Sequence, residues 1–245
     1  VAENANSGNL HAVLLANDSD ADGDVLDITA VNTTGMVGTV VFDNTSNSLT
    51  YTAGPGFDYL TAGQIVYDRF SYTMSDGNGG TDTATVTMRV VGVNDAPTAG
   101  DLNRSYTIDE DASPIKLYAT AGLPAVADVD STMLTMTLRI PTAAGTLTFA
   151  GLGIVPGTVD GADTVYTVQG GTVGVRGMLD RLHYAPAANF NGTVNISVTI
   201  DDDDSNVGMQ GTNPSGTISV TVNAINDGPE IFDLPIGQFT IAEDT

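Results

Sequence analysis

Apolar and polar residues alternate along most of this chain with a period of two. Leu134, Met136, Leu138 and Ile140 lie on one side of such a run, and mostly Thr stands between them. A second run covers residues 194–200, where Val and Ile alternate with polar residues. Successive side chains of a strand point to opposite faces, so these runs predict strands with one buried face. Many short strands joined by Gly-rich turns predict an all-β sandwich fold.

The chain repeats itself. The phrase Gly92-Val93-Asn94-Asp95-Ala96-Pro97 returns as Ala224-Ile225-Asn226-Asp227-Gly228-Pro229, and the alternating strand before it returns as well. An acidic start signal occurs three times, at Glu3, Glu110 and Glu243. A fixed phrase between similar strand patterns is typical of tandem repeats. We therefore predict two tandem Greek-key β-sandwich domains.

The repeats also predict the domain boundaries. The spacing of the start glutamates makes the second unit longer by about 26 residues. We assign this excess to an insertion near residues 145–177. The predicted domains are residues 1–97, with a truncated amino end, residues 98–229, and residues 230–245 as the start of a third repeat.

Two local signals add detail to this all-β pattern. Residues 75–80 are rich in Gly, Asn and Asp, which tolerate the backbone angles of a tight turn, so they predict a hairpin. Residues 177–181 give the only helical signal. We expect a single helical turn there, plugging one end of the second sandwich.

Composition narrows the range of possible functions. The 245 residues carry 30 acids against 7 bases, for a net charge of -23. Such a chain is not expected to bind nucleic acid or to insert into a membrane. There is no Cys, so neither a disulfide nor a structural zinc site of the usual kind is expected. His11 and His183 stand apart from any Ser/Asp constellation, so both are expected to be surface or edge residues and the chain is not expected to be an enzyme.

Acidic residues instead suggest cation binding. Asp20, Asp22 and Asp24 belong to a run of the D-x-D-x-D-G type, in which alternate carboxylates can converge on a hard cation. An EF-hand would need Glu where the chain has Thr29, so that interpretation fails. Both an irregular oxygen cage and a solvated acidic turn remain open for this segment.

A second acidic group follows from topology. In a Greek-key sandwich, the loop carrying Asp128 and Asp130 and the loop carrying residues 201–204 meet at the end where the chain enters. They would face Asn94 and Asp95 of the linker. Four consecutive aspartates repel one another unless a cation or solvent neutralises them, and both alternatives remain open.

Residues 67–80, continuing to the Asn94-Asp95-Ala96-Pro97 phrase, resemble the VCBS and cadherin-like repeats of large bacterial adhesins, the RTX adhesins among them. Residues 182–192 resemble a longer repeat found in the same giant proteins. The resemblance implies an extracellular array of cadherin-like or Ig-like β-sandwiches whose junctions hold Ca²⁺. Its partners would be the neighbouring repeats of the same chain.

The resemblance also assigns ligands. It implies one complete junction in this chain, with Asp58 as the nearest counterpart of a further ligand that is otherwise missing. It also implies that this chain contributes half of the ligands of a second, following junction and half of those of an upstream junction. The implied ligands are Glu3, Asp58, Asn94, Asp95, Asp128, Asp130, Asp201 and Asp203 for the complete junction, Glu110, Asn226 and Asp227 for the second, and Asp20, Asp22, Asp24 and Asp76 for the upstream one.

The sequence leaves two functions open. The first is a calcium-stiffened extender segment of a secreted or cell-surface adhesin, used in cell adhesion or biofilm formation. The alternative is that the second unit of the same adhesin binds a glycan or peptide at a cell surface through its insertion. A sugar would need exposed aromatic rings, and between Gly145 and Gly177 the chain offers only Phe149 and Tyr166.

Overall fold

The computed structural model describes residues 1–151, 155–202 and 211–228. The secondary structure of these residues is almost entirely β. The strands are Asn6–Asn9 (β1), Asp27–Asn32 (β2), Thr39–Asp43 (β3), Ser48–Thr52 (β4), Ile65–Ser75 (β5), Thr81–Val91 (β6), Thr98–Ala99 (β7), Arg104–Asp109 (β8), Ile115–Lys116 (β9), Val126–Ala127 (β10), Leu134–Pro141 (β11), Gly145–Phe149 (β12), Thr158–Asp160 (β13), Asp163–Gly170 (β14), Leu182–Pro186 (β15), Gly192–Asp201 (β16) and Ser215–Asn223 (β17). The helices are His11–Leu14 (α1) and Thr172–Arg181 (α2), with short 3₁₀ turns at Pro55–Phe57, Thr120–Gly122 and Thr142–Ala144.

The first unit is a sandwich of two three-stranded sheets. One sheet has the order β1-β4-β3 and the other the order β2-β5-β6. The core between them takes Tyr51 from the first sheet and Ile28 and Phe70 from the second, all nearly inaccessible to water. The predicted hairpin is confirmed, because β5 and β6 pair antiparallel up to Ser75 and Thr81.

The second unit has its own core between larger sheets. A six-stranded sheet has the order β13-β14-β11-β16-β17-β8, and it faces a three-stranded sheet of order β12-β15-β9. The alternating positions of β11 and β16 that the sequence assigns to a buried face do lie in this core, including Met136 and Ile196. The two cores have no residue in common. The all-β sandwich fold is thus confirmed.

The extra residues of the second unit lie between two paired strands. In the first unit β3 and β4 form a hairpin with a short loop. Their counterparts β12 and β15 also pair, but β13, β14 and α2 stand between them. Strand β14 adds to the edge of β11 and thereby widens the sheet.

Helix α2 corrects the single turn expected at residues 177–181. It spans ten residues and begins already at Thr172. Val175 and Leu179, four residues apart and therefore on one helix face, are buried in the second core. The amino-terminal half escaped prediction because Gly174 and Gly177 interrupt the helical pattern.

His11 is also a correction. It was expected at the surface, yet it is only 6% exposed. Its Nε2 lies 2.9 Å from Asp27 Oδ1, which explains how a polar ring is accommodated there. His183 is half-buried on β15, where its Nδ1 lies 2.8 Å from the Arg181 carbonyl oxygen. The domain boundaries stay predictions, and residues 230–245 lie outside the described residues.

Candidate metal centre at the junction

Four segments meet where the first unit leads into the second. They are the start of the first unit with Glu3, the linker with Asn94 and Asp95, the loop after β10 with Asp128 and Asp130, and the end of β16 with Asp202. Glu3, Asn94, Asp130 and Asp202 are all at most 8% exposed. Burial of so many acidic groups at one place requires compensation by hydrogen bonds or a cation.

Three carboxylates of this junction, those of Glu3, Asp128 and Asp130, follow one pattern, in which one oxygen accepts backbone hydrogen bonds and the other has no partner. Glu3 Oε1 accepts the Val93 N–H at 2.7 Å. Asp128 Oδ1 accepts the N–H of Asp130 at 3.1 Å and that of Ser131 at 2.7 Å. Asp130 Oδ2 accepts the Asp95 N–H at 3.3 Å. The backbone therefore fixes each carboxylate and leaves its second oxygen available.

Those second oxygens are buried and without a hydrogen-bond partner. The same holds for the side-chain oxygen of Asn94, whose Nδ2 donates to Asp202 Oδ2 at 2.7 Å. Buried polar atoms without partners are rare in proteins, and each calls for an explanation such as an ion. Among the described residues these atoms are Glu3 Oε2, Asn94 Oδ1, Asp95 Oδ2, Asp128 Oδ2, Asp130 Oδ1 and Asn213 Oδ1.

The electrostatics agree with this crowding. Burial, together with the neighbouring charges of Asp128 and Asp95, raises the pKa of Asp130 to about 7. Burial also raises the pKa of Glu3, with further contributions from Asp95 and Asp58. The pKa of Asp95 is raised by burial and then by Asp58 and Asp128. These acids repel one another across the junction and so raise one another's pKa, which makes their charged forms costly without a nearby positive charge.

Asp202 lies against the linker, because its Oδ2 accepts from Asn94 Nδ2. Asp201 is half-buried at the end of β16, and Asp203 lies outside the described residues. Asp58 is joined to Asn4, whose Nδ2 donates to Asp58 Oδ1 at 2.7 Å. It lines a shallow depression of about 400 Å³ together with Asp95.

Asn213 is a junction candidate that the sequence reasoning missed. It belongs to the described stretch that begins at Gly211, and a Cβ at Gly211 would lie 3.3 Å from Ala96 Cβ of the linker. Its unpartnered Oδ1 is of the same kind as that of Asn94. The signal available in the sequence was the Asn-Pro pair that immediately precedes the last strand.

The donor chemistry suits a hard divalent cation. The unpartnered atoms are all carboxylate or amide oxygens, which Ca²⁺ takes in sets of about six to eight with flexible geometry. Zinc prefers His and Cys, and both His residues lie outside this set. Within residues 1–151, 155–202 and 211–228, no three acidic or histidine side chains converge on one point as around a bound metal. The fit therefore rests on donor type and burial.

The residues predicted for the second junction differ in burial. Glu110 is 4% exposed, and its Oε1 accepts the Ile225 N–H, as Glu3 accepts that of Val93. Asn226 and Asp227 are exposed, unlike Asn94. The buried glutamate is thus common to both units, whereas the linker asparagine is buried at Asn94 and exposed at Asn226.

Three of the upstream acids accept hydrogen bonds within and between their two loops. Asp20 Oδ1 accepts the N–H of Asp22 at 2.8 Å and that of Asp24 at 3.2 Å. Asp24 Oδ2 accepts from Asn78 Nδ2 at 2.7 Å, and Asp76 Oδ1 accepts the Asn78 N–H at 2.7 Å. Asp20 and Asp76 line one depression of about 200 Å³. These hydrogen bonds hold the two loops beside each other, and the assignment of their acids as ligands stays a prediction.

The insertion offers no aromatic platform. Phe149 is 4% exposed and Tyr166 is 5% exposed, so both rings belong to the second core. Neither can stack on a sugar from outside. In the described residues, no helix is both long and apolar enough to span a bilayer.

Comparison with known proteins gives one match by sequence. Residues 1–89 match the family model for a bacterial Ig domain. No curated protein matches the chain. The first 89 residues are therefore similar to an Ig-like module of bacterial proteins.

Solved structures of cadherin domains are also similar. Mouse cadherin-23 EC22-24 is 9% identical with a TM-score of 0.36, and the match covers 85% of this chain and 56% of that one. Human protocadherin-24 EC1-2 is 11% identical with a TM-score of 0.36, covering 84% and 86%. Human mucin-like protocadherin EC1-2 is 12% identical with a TM-score of 0.35, covering 92% and 94%. The chain spans little more than half of the cadherin-23 fragment.

Proposed function

We propose that this chain is an extender segment of a large secreted or cell-surface bacterial adhesin, of the VCBS or RTX type, in which Ca²⁺ at the junction stiffens the chain. The observation that carries the proposal is that the start of the first unit, the linker and the loop after β10 each contribute buried oxygens without hydrogen-bond partners. The bacterial Ig domain match of residues 1–89 supports an extracellular role in adhesion. Cell adhesion and biofilm formation are the processes it would serve.

The junction residues have distinct tasks in this proposal. Glu3 and Asp95 supply oxygens from the first unit and the linker, while Asp128 and Asp130 supply them from the second unit. The Asn94 amide both binds Asp202 and directs its oxygen inward. When bound, a divalent cation supplies the positive charge that offsets repulsion among these carboxylates.

Direct hydrogen bonds already connect the two units without a cation. Asn94 Nδ2 donates to Asp202 Oδ2 at 2.7 Å, and the Asp95 N–H donates to Asp130 Oδ2 at 3.3 Å. Both bonds cross the junction. Two such bonds orient the units, but mutual repulsion of the acids weakens the contact. A site occupied at tenfold excess of free Ca²⁺ over its Kd adds about 1.4 kcal/mol to the stability of the closed junction.

Small-angle scattering of the full chain tests the proposal. Adding Ca²⁺ should lengthen the maximum dimension and narrow the distribution of bending angles, and chelation should reverse both. The double variant Asp128→Asn/Asp130→Asn should lose this response. Asp82→Asn, an exposed acid on β6, is the control and should respond like the unchanged chain.

Identical scattering with Ca²⁺ and with chelator would refute stiffening by calcium. A response that survives in the Asp128→Asn/Asp130→Asn variant would place the cation elsewhere, for example in the loops of Asp20 and Asp76. The alternative in which the second unit binds a glycan gains no support from the insertion, because its two aromatic rings are buried. We propose no second function.

A further inference from the structure

The outer face of the sheet β2-β5-β6 carries two arginines beside an exposed aromatic ring. Tyr67 and Arg69 are two residues apart on β5, so they lie on the face opposite to that of the buried Asp68 between them. Tyr67 is 62% exposed, and Arg69 is exposed as well. Arg89 of β6 is directly opposite Tyr67 and is also exposed. One surface of the first unit therefore combines an aromatic ring with positive charge.

Positive charge at this place is unusual for the chain. Arg69 and Arg89 are the only bases among residues 1–97. Strand β5 is the middle strand of its sheet, so Arg69 has a strand on each side, yet its guanidinium makes no hydrogen bond or ion pair within the described residues. Four bases of the second unit do make such contacts: Arg104, Lys116, Arg139 and Arg181. The donors of Arg69 are thus available to a ligand.

A small depression of about 180 Å³ opens beside Arg69. It crosses all three strands, because Asn32 of β2 and Thr85 of β6 both pair with Ser71 of β5. Asn32 Oδ1 accepts the Thr34 N–H at 3.0 Å, which holds the amide and leaves its NH₂ group as a donor. The lining residues are Asn32, Thr34, Arg69, Phe70, Ser71 and Thr85. Hydroxyl, amide and guanidinium groups thus surround a space below the ~300 Å³ of the smallest drug-sized pockets.

The repeat itself does not require these side chains. Aligned on the linker prolines, β6 corresponds to β17, and the strand pairings then align β5 with β16. The counterparts of Tyr67, Arg69 and Arg89 are, in that order, Thr193, Asn195 and Thr221. Small polar residues therefore suffice at these exposed strand positions, and neighbouring like charges on a sheet face do not stabilise it. The ring and the charges serve a purpose other than folding.

We propose that this face of the first unit binds a glycan through one carboxylated sugar. The planar guanidinium of Arg69 donates two parallel N–H bonds to the sugar carboxylate, a geometry that Arg matches and Lys does not. Tyr67, about 7 Å away along β5, packs against the apolar C–H face of a sugar ring. The polar groups of the depression bind the sugar hydroxyls, and Arg89 adds positive charge. The site is independent of the proposed calcium junction.

The charge of the whole chain defines this ligand class further. A net charge of -23 repels a densely charged polymer. A glycan with an isolated carboxylate is repelled little, since the Debye length at physiological salt is only about 8 Å. An acidic peptide could also place a carboxylate on Arg69. However, the backbone groups of a sheet pair between strands and leave its face without partners for a peptide backbone. The exposed ring of Tyr67 therefore favours a sugar.

Titration of the full chain with sialyllactose and with a glucuronic acid disaccharide tests the site, in chelator so that the junction plays no part. At least one of these sugars should bind with a Kd on the order of 1 mM, as suits a single exposed sugar ring. The amide NMR signals of Asn32, Arg69 and Ser71 should shift saturably. The amides of Asn195 and Ser197, on the same face of the second unit, are the internal control and should not shift. Lactose, which lacks the carboxylate, should bind about tenfold more weakly or not at all.

Matched variants keep the test decisive. Tyr67→Thr/Arg69→Asn gives the first unit the residues that the second unit carries at these places, so it should melt like the unchanged chain and lose binding. Arg176→Asn removes an exposed base on α2 and should bind as before. The proposal would be overturned by absence of binding of both acidic sugars at about 10 mM, or by binding that survives in the double variant. Equal shifts with lactose or with an acetylated Asp-Asp peptide would likewise refute recognition of an acidic sugar.

Discussion

Asp68 shows how much of the first core depends on one carboxylate. It lies on β5 and is only 5% exposed. Its Oδ2 accepts the Gly38 N–H at 2.8 Å and the Tyr51 hydroxyl at 3.0 Å. Burial and this hydrogen bond together raise the pKa of Tyr51. The carboxylate thus joins the segment before β3 and the ring on β4 to the opposite sheet.

Replacing this carboxylate should destabilise the protein strongly. In Asp68→Asn, the side-chain NH₂ replaces one of the two carboxylate oxygens, which accept the backbone N–H groups of Val37 and Gly38. One of these buried N–H groups therefore loses its acceptor. We expect the free energy of unfolding to fall by about 2–4 kcal/mol in urea denaturation. Asp43→Asn, in an exposed turn, is the matched control. A comparable loss in both variants would show that burial of Asp68 is not the cause.

The junction acids predict an unusual pH dependence for the metal-free chain. The pKa of Asp130 is raised from 3.8 to about 7, and those of Glu3 and Asp95 are raised as well. A group with a raised pKa in the folded state stabilises it below its unfolded pKa and loses that contribution as the pH passes the folded value. Between about pH 4 and 7, the metal-free chain should therefore lose stability as the pH rises.

Melting temperatures in chelator from pH 5 to pH 8 measure this effect. They should decrease across the range, since Asp130 must become charged among other acids. Asp130→Asn stays neutral at every pH and should flatten the curve. A melting temperature that instead rises with pH in the unchanged chain would contradict the crowding at the junction.

Individual junction residues could be predicted from sequence only where a phrase repeats. Asn94, Asp95 and the Asp128/Asp130 pair belong to recurring patterns, and all four have unpartnered buried oxygens. Asn213 does not recur in the first unit, so no comparison of repeats could find it. The choice among residues 201–204 depends on the twist at the end of β16, which no sequence period encodes.

At the level of elements, α2 is the part of the fold that the sequence concealed. Its apolar face is clear, with Val175 and Leu179 buried, but Gly174 and Gly177 lower its helix propensity. Packing against the second core therefore stabilises this helix, whose intrinsic helix propensity is low. Strands β13 and β14 were assigned only to an insertion, because they have no counterpart in the first unit to fix their alternation.

The same glycines give a prediction. A Cβ added at Gly174 or Gly177 meets no atom within 4 Å, and neither residue has a positive φ. Gly174→Ala and Gly177→Ala should each raise the free energy of unfolding by about 0.5–1 kcal/mol, since Ala restricts the unfolded chain and favours the helix. Thermal or urea unfolding of the full chain measures both.

Gly145 provides the opposite case on a neighbouring element. It has φ of 143°, and a Cβ there would come within 2.2 Å of the Ala185 carbonyl oxygen. Gly145→Ala should therefore destabilise the pairing of β12 with β15. Destabilisation by the two helical substitutions as well would mean that α2 packs more tightly around its glycines than the structure shows.

For the whole molecule, charge is the dominant property. A net charge of -23 on 245 residues creates repulsion throughout the chain, and the junction concentrates it at the contact between two cores. Four of the seven bases make contacts with acids, carbonyl oxygens or rings in the second unit: Arg104, Lys116, Arg139 and Arg181. These four bases are thus engaged within the second unit, which supports the proposal that a cation from outside the chain neutralises the junction.

Salt and Ca²⁺ distinguish general screening of the acidic surface from specific binding of a cation at the junction. Raising NaCl from 0.01 to 0.5 M shortens the Debye length from about 30 Å to a few ångströms, so the melting temperature of the metal-free chain should rise modestly. Ca²⁺ at the same ionic strength should raise it further, because buried oxygens are screened little by salt and need a bound cation. The Asp128→Asn/Asp130→Asn chain should keep the NaCl response and lose the additional rise with Ca²⁺. Equal responses to Na⁺ and Ca²⁺ at matched ionic strength would mean that repulsion over the whole surface, and not the junction, limits stability.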